Sequence, residues 1–282
     1  MARPSTTWWS TPSTRRYRTD RSYAHADLRS DCTARGLLSQ SVGMRQEARA
    51  DALFVRRGDE YVATELTQGP WNPEHQHGGP VCALLAVVVE AALEHDGVEV
   101  ARALALRVRV GATPDALTHP RRPDESPPRA PEQHTGSALE LAGMPVPGFI
   151  RALEMDRVVG GLGTGAPAIT WYRLRVPVVA GEESSPLARL AAIADFTSGS
   201  ANFLPVTEWS SINADVTMNV LREPAGEWIA VDAIAHAAGD GIGHSRASFF
   251  DTDGFVGSGA TTQVVDEVAA PFWKLAALGE VS

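Results

Sequence analysis

The sequence predicts an α+β fold in which antiparallel strands wrap a central helix, and three observations carry that reading. Residues 81–89 are apolar on every side, as a helix enclosed by a sheet must be. The second half alternates apolar and polar residues over successive short stretches, interrupted by one amphipathic helix. Near its end, residues 242–250 and 255–265 flank Asp251-Thr252-Asp253-Gly254, the signature of a hairpin.

Taken in order, residues 1–48 scatter arginine, serine and threonine without a strand or helix period, and read as an unpacked, disordered extension. Met44 is a candidate start, which would make the first 43 residues an artefact of translation. A first unit is expected over residues 49–111. In it, Phe54-Val55 and Tyr61-Val62-Ala63 flank the turn-like Arg57-Gly58-Asp59. The loop GPWNPEHQHGGP at residues 69–80 is rich in breakers, and Pro80 suits the first turn of a helix over residues 81–89. A lone buried strand is the alternative for that run. Even-numbered Val98, Val100, Leu104, Leu106, Val108 and Val110 predict a strand. Residues 112–147 hold eight of the 19 prolines and read as a linker without a packing face.

A second unit follows over residues 148–268, and residues 269–282 form a tail. Strands are expected near residues 149–159, 168–176, 212–221 and 227–236, before the final hairpin. Between the second and third of these lies a helix from Pro186 to about Phe196. Ser184 or Ser185 can cap it, and Pro186 suits its first helical position. Leu187, Leu190, Ala191 and Ala194 form its apolar stripe, and Asp195 sits at the edge of that stripe, so a carboxylate is carried towards the core. Asp195 could simply end the helix, or cap the Thr197-Ser198-Gly199 turn.

Composition limits the function. The chain has 282 residues, 44% of them hydrophobic, and a formal net charge of -9. That charge argues against nucleic-acid binding, which needs clustered cations. Cys32 and Cys82 form neither a disulfide framework nor a CxxC pair, which suits a reducing, cytoplasmic setting. The run at residues 81–89 falls far short of the roughly 20 residues that span a bilayer. Glu74, His75 and His77 are metal ligands by type, but no third His or Cys cluster lies near them in sequence, so no metal is expected. Gly243-His244-Ser245-Arg246-Ala247 approximates the nucleophile elbow of α/β hydrolases; the strand-like residues after Ser245 refuse it. Gly161-Leu162-Gly163-Thr164-Gly165 lies between strands and reads as a hairpin loop, not a phosphate cradle.

Four stretches carry a resemblance: GPWNPEHQHGGP, WYRLRVPVVAGEESSPLARLAAIADF, SSINADVTMNVLREPAGEW and DGFVGSGATTQ. Together they resemble the acyl-CoA thioesterase II type of the thioesterase-like superfamily, over residues 61–89 and 149–265. The resemblance implies a double hotdog, two antiparallel sheets each wrapped around a central helix. The first unit is about half the length of the second, so the first hotdog is expected to be incomplete. It also implies hydrolysis of a fatty acyl-CoA by a water activated by aspartate, with no cofactor, and a homo-oligomer. By motif position the aspartate falls on Asp195 and the threonine-type partner on Asn213, whose amide both donates and accepts hydrogen bonds. Counted from Gly257 the glutamine position lands on Thr261; the nearest glutamine, Gln263, faces the same side of the strand and is taken for the role, with Thr261 in reserve. Gly78 and Gly79, at a helix N-terminus, are candidate oxyanion donors, and His77 a candidate substrate contact. Trp171, Trp228 and Phe196 suit an acyl pocket or plain core. The rival reading is a non-catalytic acyl-CoA or lipid-binding protein.

Overall fold

In the computed structural model the described residues are 16–19, 51–58, 60–69, 76–87, 92–95, 98–103, 127–131, 148–160, 167–202, 204–205 and 208–267. The second unit is an antiparallel sheet curled around a helix. A single turn, α2 (Gly148–Arg151), leads into β6 (Leu153–Val159) and β7 (Ala168–Leu174). Next come α3 (Pro186–Ala194), the short α4 (Phe196–Ser200), β8 (Trp209–Val220), β9 (Trp228–Ala237), β10 (Ile242–Asp251) and β11 (Gly254–Glu267). The strand order is β6-β7-β9-β10-β11-β8.

Strand alternation decides what each face of this sheet does. Tyr172, Leu174, Ile229, Val231, Ala247 and Phe249 join one buried core with Ala188, Leu190 and Ile193 of α3. Burying Leu190 and Ile193 completely adds about 1.5–3 kcal/mol each. The opposite face carries a second cluster of Trp171, Ala230 and Phe250. Trp171 therefore lines no pocket beside α3: its indole N–H donates to the carbonyl of Arg129 at 2.7 Å. Arg129 also forks onto buried Asp156, at 2.9 and 3.1 Å. The expected linker thus has a packing face within residues 127–131, held by one arginine that composition gave no reason to single out. Residues 161–166, with the glycine-rich loop, lie outside the described residues.

The helix cap is Ser185, whose Oγ accepts from the Ala188 N–H at 3.1 Å; Ser184 instead accepts from the Val178 N–H at 2.9 Å. The final hairpin is locked by Asp251. Its carboxylate accepts the N–H groups of Asp253, Gly254 and Ala225 and both arms of Arg222. Gly254, at φ 133°, supplies a backbone conformation that other residues rarely adopt.

The first unit is smaller. Its sheet runs β2-β3-β1-β4-β5, built from β1 (Arg16–Thr19), β2 (Phe54–Arg57), β3 (Glu60–Ala63), β4 (Ala92–His95) and β5 (Val98–Arg102). These strands hold four or five residues each, against seven to 14 in the second sheet. The reading of residues 1–48 as wholly unpacked is corrected here, because β1 pairs with both β3 and β4. Four residues are too few to show a period, and their neighbours come from distant sequence. The strand expected over residues 98–110 is β5, and residues 104–110 lie outside the described residues.

The apolar run is a helix, α1 (Gly78–Val87), so the lone-strand alternative falls. Ala83 and Leu84 are fully buried, whereas Val81 and Ala86 are only partly covered; among the described elements the helix packs chiefly on α3. The two helices meet backbone to backbone. A Cβ on Gly79 would lie 2.4 Å from the Ala192 carbonyl oxygen, so only glycine permits this approach. The fold is a double hotdog with a reduced first unit.

Candidate active site

Asp195 stands at the junction of α3 and α4, with helical backbone angles and no side-chain cap. It is 4% exposed. The capping role open in the sequence is therefore not taken, and the carboxylate turns to two other elements. One oxygen, Oδ1, accepts from the Asn213 amide at 2.7 Å, and the same Nδ2 donates to the Asp195 carbonyl at 2.8 Å. Both acceptors lack protons, so Nδ2 must be the atom facing them. Asn213 Oδ1 then remains buried without a partner among the described residues.

Asn213 reaches this position through a β-bulge. The β8–β11 register passes from Asp215↔Thr262 to Asn213↔Gln263, leaving Ala214 as the extra residue. An extra residue switches the faces of the strand, so Asn213 and Val216 both turn inward while Ala214 and Asp215 are exposed. Asp215 accepts the Thr262 N–H at 2.9 Å and takes no part in the site.

The second oxygen, Oδ2, lies 2.7 Å from His77 Nδ1. His77 hangs from the Thr67 carbonyl by its own N–H at 2.8 Å. Its ring sits between Phe149 and Phe196, with both centroids 4.9 Å away. Tyr172 backs Phe196 at 4.7 Å and shares a hydrogen bond with Ser200 at 2.8 Å. Phe196 thus holds the imidazole in place.

Burial alone would raise the pKa of Asp195. The charge of His77 and hydrogen bonds from His77, Asn213 and the Gly79 N–H outweigh it and hold the carboxyl below its ordinary value. An ionised carboxylate only accepts, so His77 Nδ1 carries the proton between them. The Gly79 N–H points into the His77–Asp195 contact, 3.3 Å from that same Nδ1, and also favours the charged carboxylate. Gly78 touches the carboxylate directly: a Cβ there would stand 2.3 Å from Oδ1.

Gln263 is in the adjacent strand at the register position of Asn213, and is 3% exposed. Its amide does not reach Asp195. Nε2 donates to Ser245 Oγ at 3.0 Å and Thr261 Oγ1 at 2.5 Å. Beside it opens a cleft of about 10 Å³, room for about one water, bordered by Ser198, Asn202, Ser211, Ser245 and Gln263. Asp195, Asn213, His77, Gly78 and Gly79 are therefore brought together, while Gln263 and Thr261 form a neighbouring group. Ser245 sits in mid-strand and fully buried, which disposes of the nucleophile elbow. The His77–Asp195 contact was missed because its partners come from opposite halves of the chain; the only sequence signal was His77 standing immediately before Gly78.

The family described as acyl-CoA thioesterase C-terminal domain matches residues 120–265, just over half of the chain. The chain belongs to this acyl-CoA thioesterase family. Thioester hydrolysis is accordingly the broad activity of its class. Similar solved structures include a putative thioesterase from Novosphingobium aromaticivorans. It is 19% identical, with a TM-score of 0.45, over 76% of this chain and 99% of that one. Another is the acyl-CoA thioesterase II TesB2 of Mycobacterium marinum, 19% identical, with a TM-score of 0.36, over 64% and 68% of the two chains. A tesB protein from Mycobacterium avium subs paratuberculosis is 11% identical, with a TM-score of 0.41, over 71% and 91%. No curated protein matches the chain. Among the described residues, no helix is long and apolar enough to cross a membrane, and no three His, Cys, Asp or Glu side chains group to hold a metal.

Proposed function

We propose that this acyl-CoA thioesterase family member hydrolyses a fatty acyl-CoA through a water activated at Asp195. The observation that carries the reading is a buried carboxylate fixed from both sides by Asn213 and His77. Hydrogen bonds from His77, Asn213 and Gly79 leave the two carboxylate oxygens one lone pair between them, so Asp195 still has a place for a water proton. A thioester carbonyl is reactive enough that a positioned water, a base and polar support suffice without a covalent nucleophile. Asn213 fixes the carboxylate, Gln263 orients the water from the next strand, and Gly78 permits the helix N-terminus to approach. The same reading carries acyl-CoA as partner, a homo-oligomer and a cytoplasmic setting.

One observation favours a second assignment of the base. His77 donates from Nδ1 to Asp195, which in the neutral ring leaves the lone pair on Nε2. Asp195 would then orient the imidazole, and His77 would take the proton from water. The experiment compares hydrolysis of acyl-CoA thioesters of graded chain length by wild type, Asp195→Asn and His77→Gln. Aspartate as base predicts a loss of about 10²–10⁴-fold for Asp195→Asn and a clearly smaller one for His77→Gln. Histidine as base predicts comparable losses for both. Saturable acyl-CoA binding without turnover by wild type would select the non-catalytic rival instead.

A further inference from the structure

The inner face of the β10–β11 hairpin buries three polar side chains in one group: Ser245 is 0%, Thr261 1% and Gln263 3% exposed. Hairpin formation needs none of them, since its backbone ladder and the Asp251 turn are complete without them. Their hydrogen bonds fix which end of the Gln263 amide is which. Ser245 Oγ and Thr261 Oγ1 can each donate or accept and so do not discriminate. The Thr261 carbonyl oxygen, 3.3 Å away, can only accept, which places Nε2 there. The amide oxygen is left on the other side, over Gly243, where a Cβ would stand 2.5 Å from Oε1. Gly243 and Ser245 both border the cleft that has room for a water.

We propose that Ser245 and Thr261 are positioning residues that clamp the Gln263 amide, so that Oε1 is the end offered to the reacting water, with Gly243 leaving it room. This rests on the reading that Gln263 orients the attacking water of a thioesterase. An amide oxygen accepts a hydrogen from that water and directs its lone pair away from the glutamine. It gives no help to an oxyanion, which needs a donor. Gln263 therefore serves the nucleophile and not the developing negative charge.

The test has a spectroscopic arm and a kinetic arm on the full chain. Selective ¹⁵N labelling of glutamine side chains, with Gln263→Ala to assign the signal, follows hydrogen exchange of the Gln263 Nε2 protons. The clamp predicts slow exchange in wild type and in Thr261→Ser, and faster exchange in Ser245→Ala and Thr261→Val. With decanoyl-CoA as probe, it predicts that Ser245→Ala, Thr261→Val and Gly243→Ala lower kcat about tenfold with KM within about twofold, while Thr261→Ser stays near wild type. Unchanged exchange in Ser245→Ala and Thr261→Val would overturn the clamp. Faster exchange with unchanged kcat would reduce the trio to a structural role and overturn the positioning claim. Equal turnover by wild type and Asp195→Asn would sink the thioesterase mechanism separately, with the exchange arm still deciding the clamp.

Discussion

Gly78→Ala is the substitution whose consequence follows most directly from the geometry. The added Cβ would lie 2.3 Å from Asp195 Oδ1, 2.8 Å from Cγ and 2.9 Å from Oδ2. Ordinary contact begins near 3.4 Å, so the carboxylate must retreat by about 1 Å. A side chain with few rotatable bonds, held by His77 and Asn213, cannot do so without lengthening at least one of those bonds. Misplacing a reacting group by about 1 Å costs on the order of 100-fold in rate, or about 2.7 kcal/mol of transition-state stabilisation. The neighbouring Gly79→Ala is the matched comparison, because its Cβ would strike the Ala192 carbonyl oxygen at 2.4 Å and the Phe149 ring at 2.5 Å. That clash separates α1 from α3 and should appear as lost stability, by about 1–3 kcal/mol. Steady-state hydrolysis and thermal denaturation of both variants decide the matter. Expected is a folded Gly78→Ala with kcat down about 100-fold and a Gly79→Ala with a lowered midpoint. A Gly78→Ala that melts like wild type and turns over at the wild-type rate would refute the reasoning.

Further outcomes follow from the same contacts. Because its partners hold the Asp195 pKa below the ordinary value, the carboxylate stays charged as pH falls, and kcat/KM should decline only below the usual carboxylate range of about 4. Asp251 is also lowered: burial raises its pKa, but Arg222 and the Ala225 and Asp253 N–H groups lower it by more. Its contribution to stability is therefore complete above the unfolded carboxylate pKa and lost as pH falls through the depressed folded value, which denaturant midpoints across acid pH will show. Asp251→Asn should cost about 2 kcal/mol at neutral pH by denaturant titration, a modest figure because Arg222 remains partly exposed. Arg129→Ala leaves Asp156 buried without that partner and should destabilise by about 2–3 kcal/mol, with faster proteolysis near residues 127–131.

Most of the second unit was legible because its cues are local. Ser185 and Pro186 mark the start of α3 within two residues, and the apolar stripe carries Asp195 inward by helix geometry alone. The Asp251-Thr252-Asp253-Gly254 turn is read the same way. What stayed hidden depends on contacts between distant segments. β1 is four residues that pair only because β3 and β4 flank them. Arg129 is one arginine in a proline-rich stretch, and nothing near it in sequence announces Asp156. At the site, the motif points to Asp195 and Asn213, and strand alternation puts Gln263 on the same face as the motif position at Thr261. The bulge at Ala214 and the direction in which the Gln263 amide leans could not, because both depend on neighbouring strands. His77 shows the same limit: its side chain is a plausible loop ligand until Phe149 and Phe196 are seen to press it onto Asp195.

The central claim is that the buried carboxylate at the α3–α4 junction drives turnover. Its most direct test is kcat of Asp195→Asn on the acyl-CoA that wild type hydrolyses fastest, measured on protein shown by thermal denaturation to be folded. The account predicts a fall of at least about 100-fold with acyl-CoA still bound. A folded Asp195→Asn that turns over as fast as wild type would contradict it.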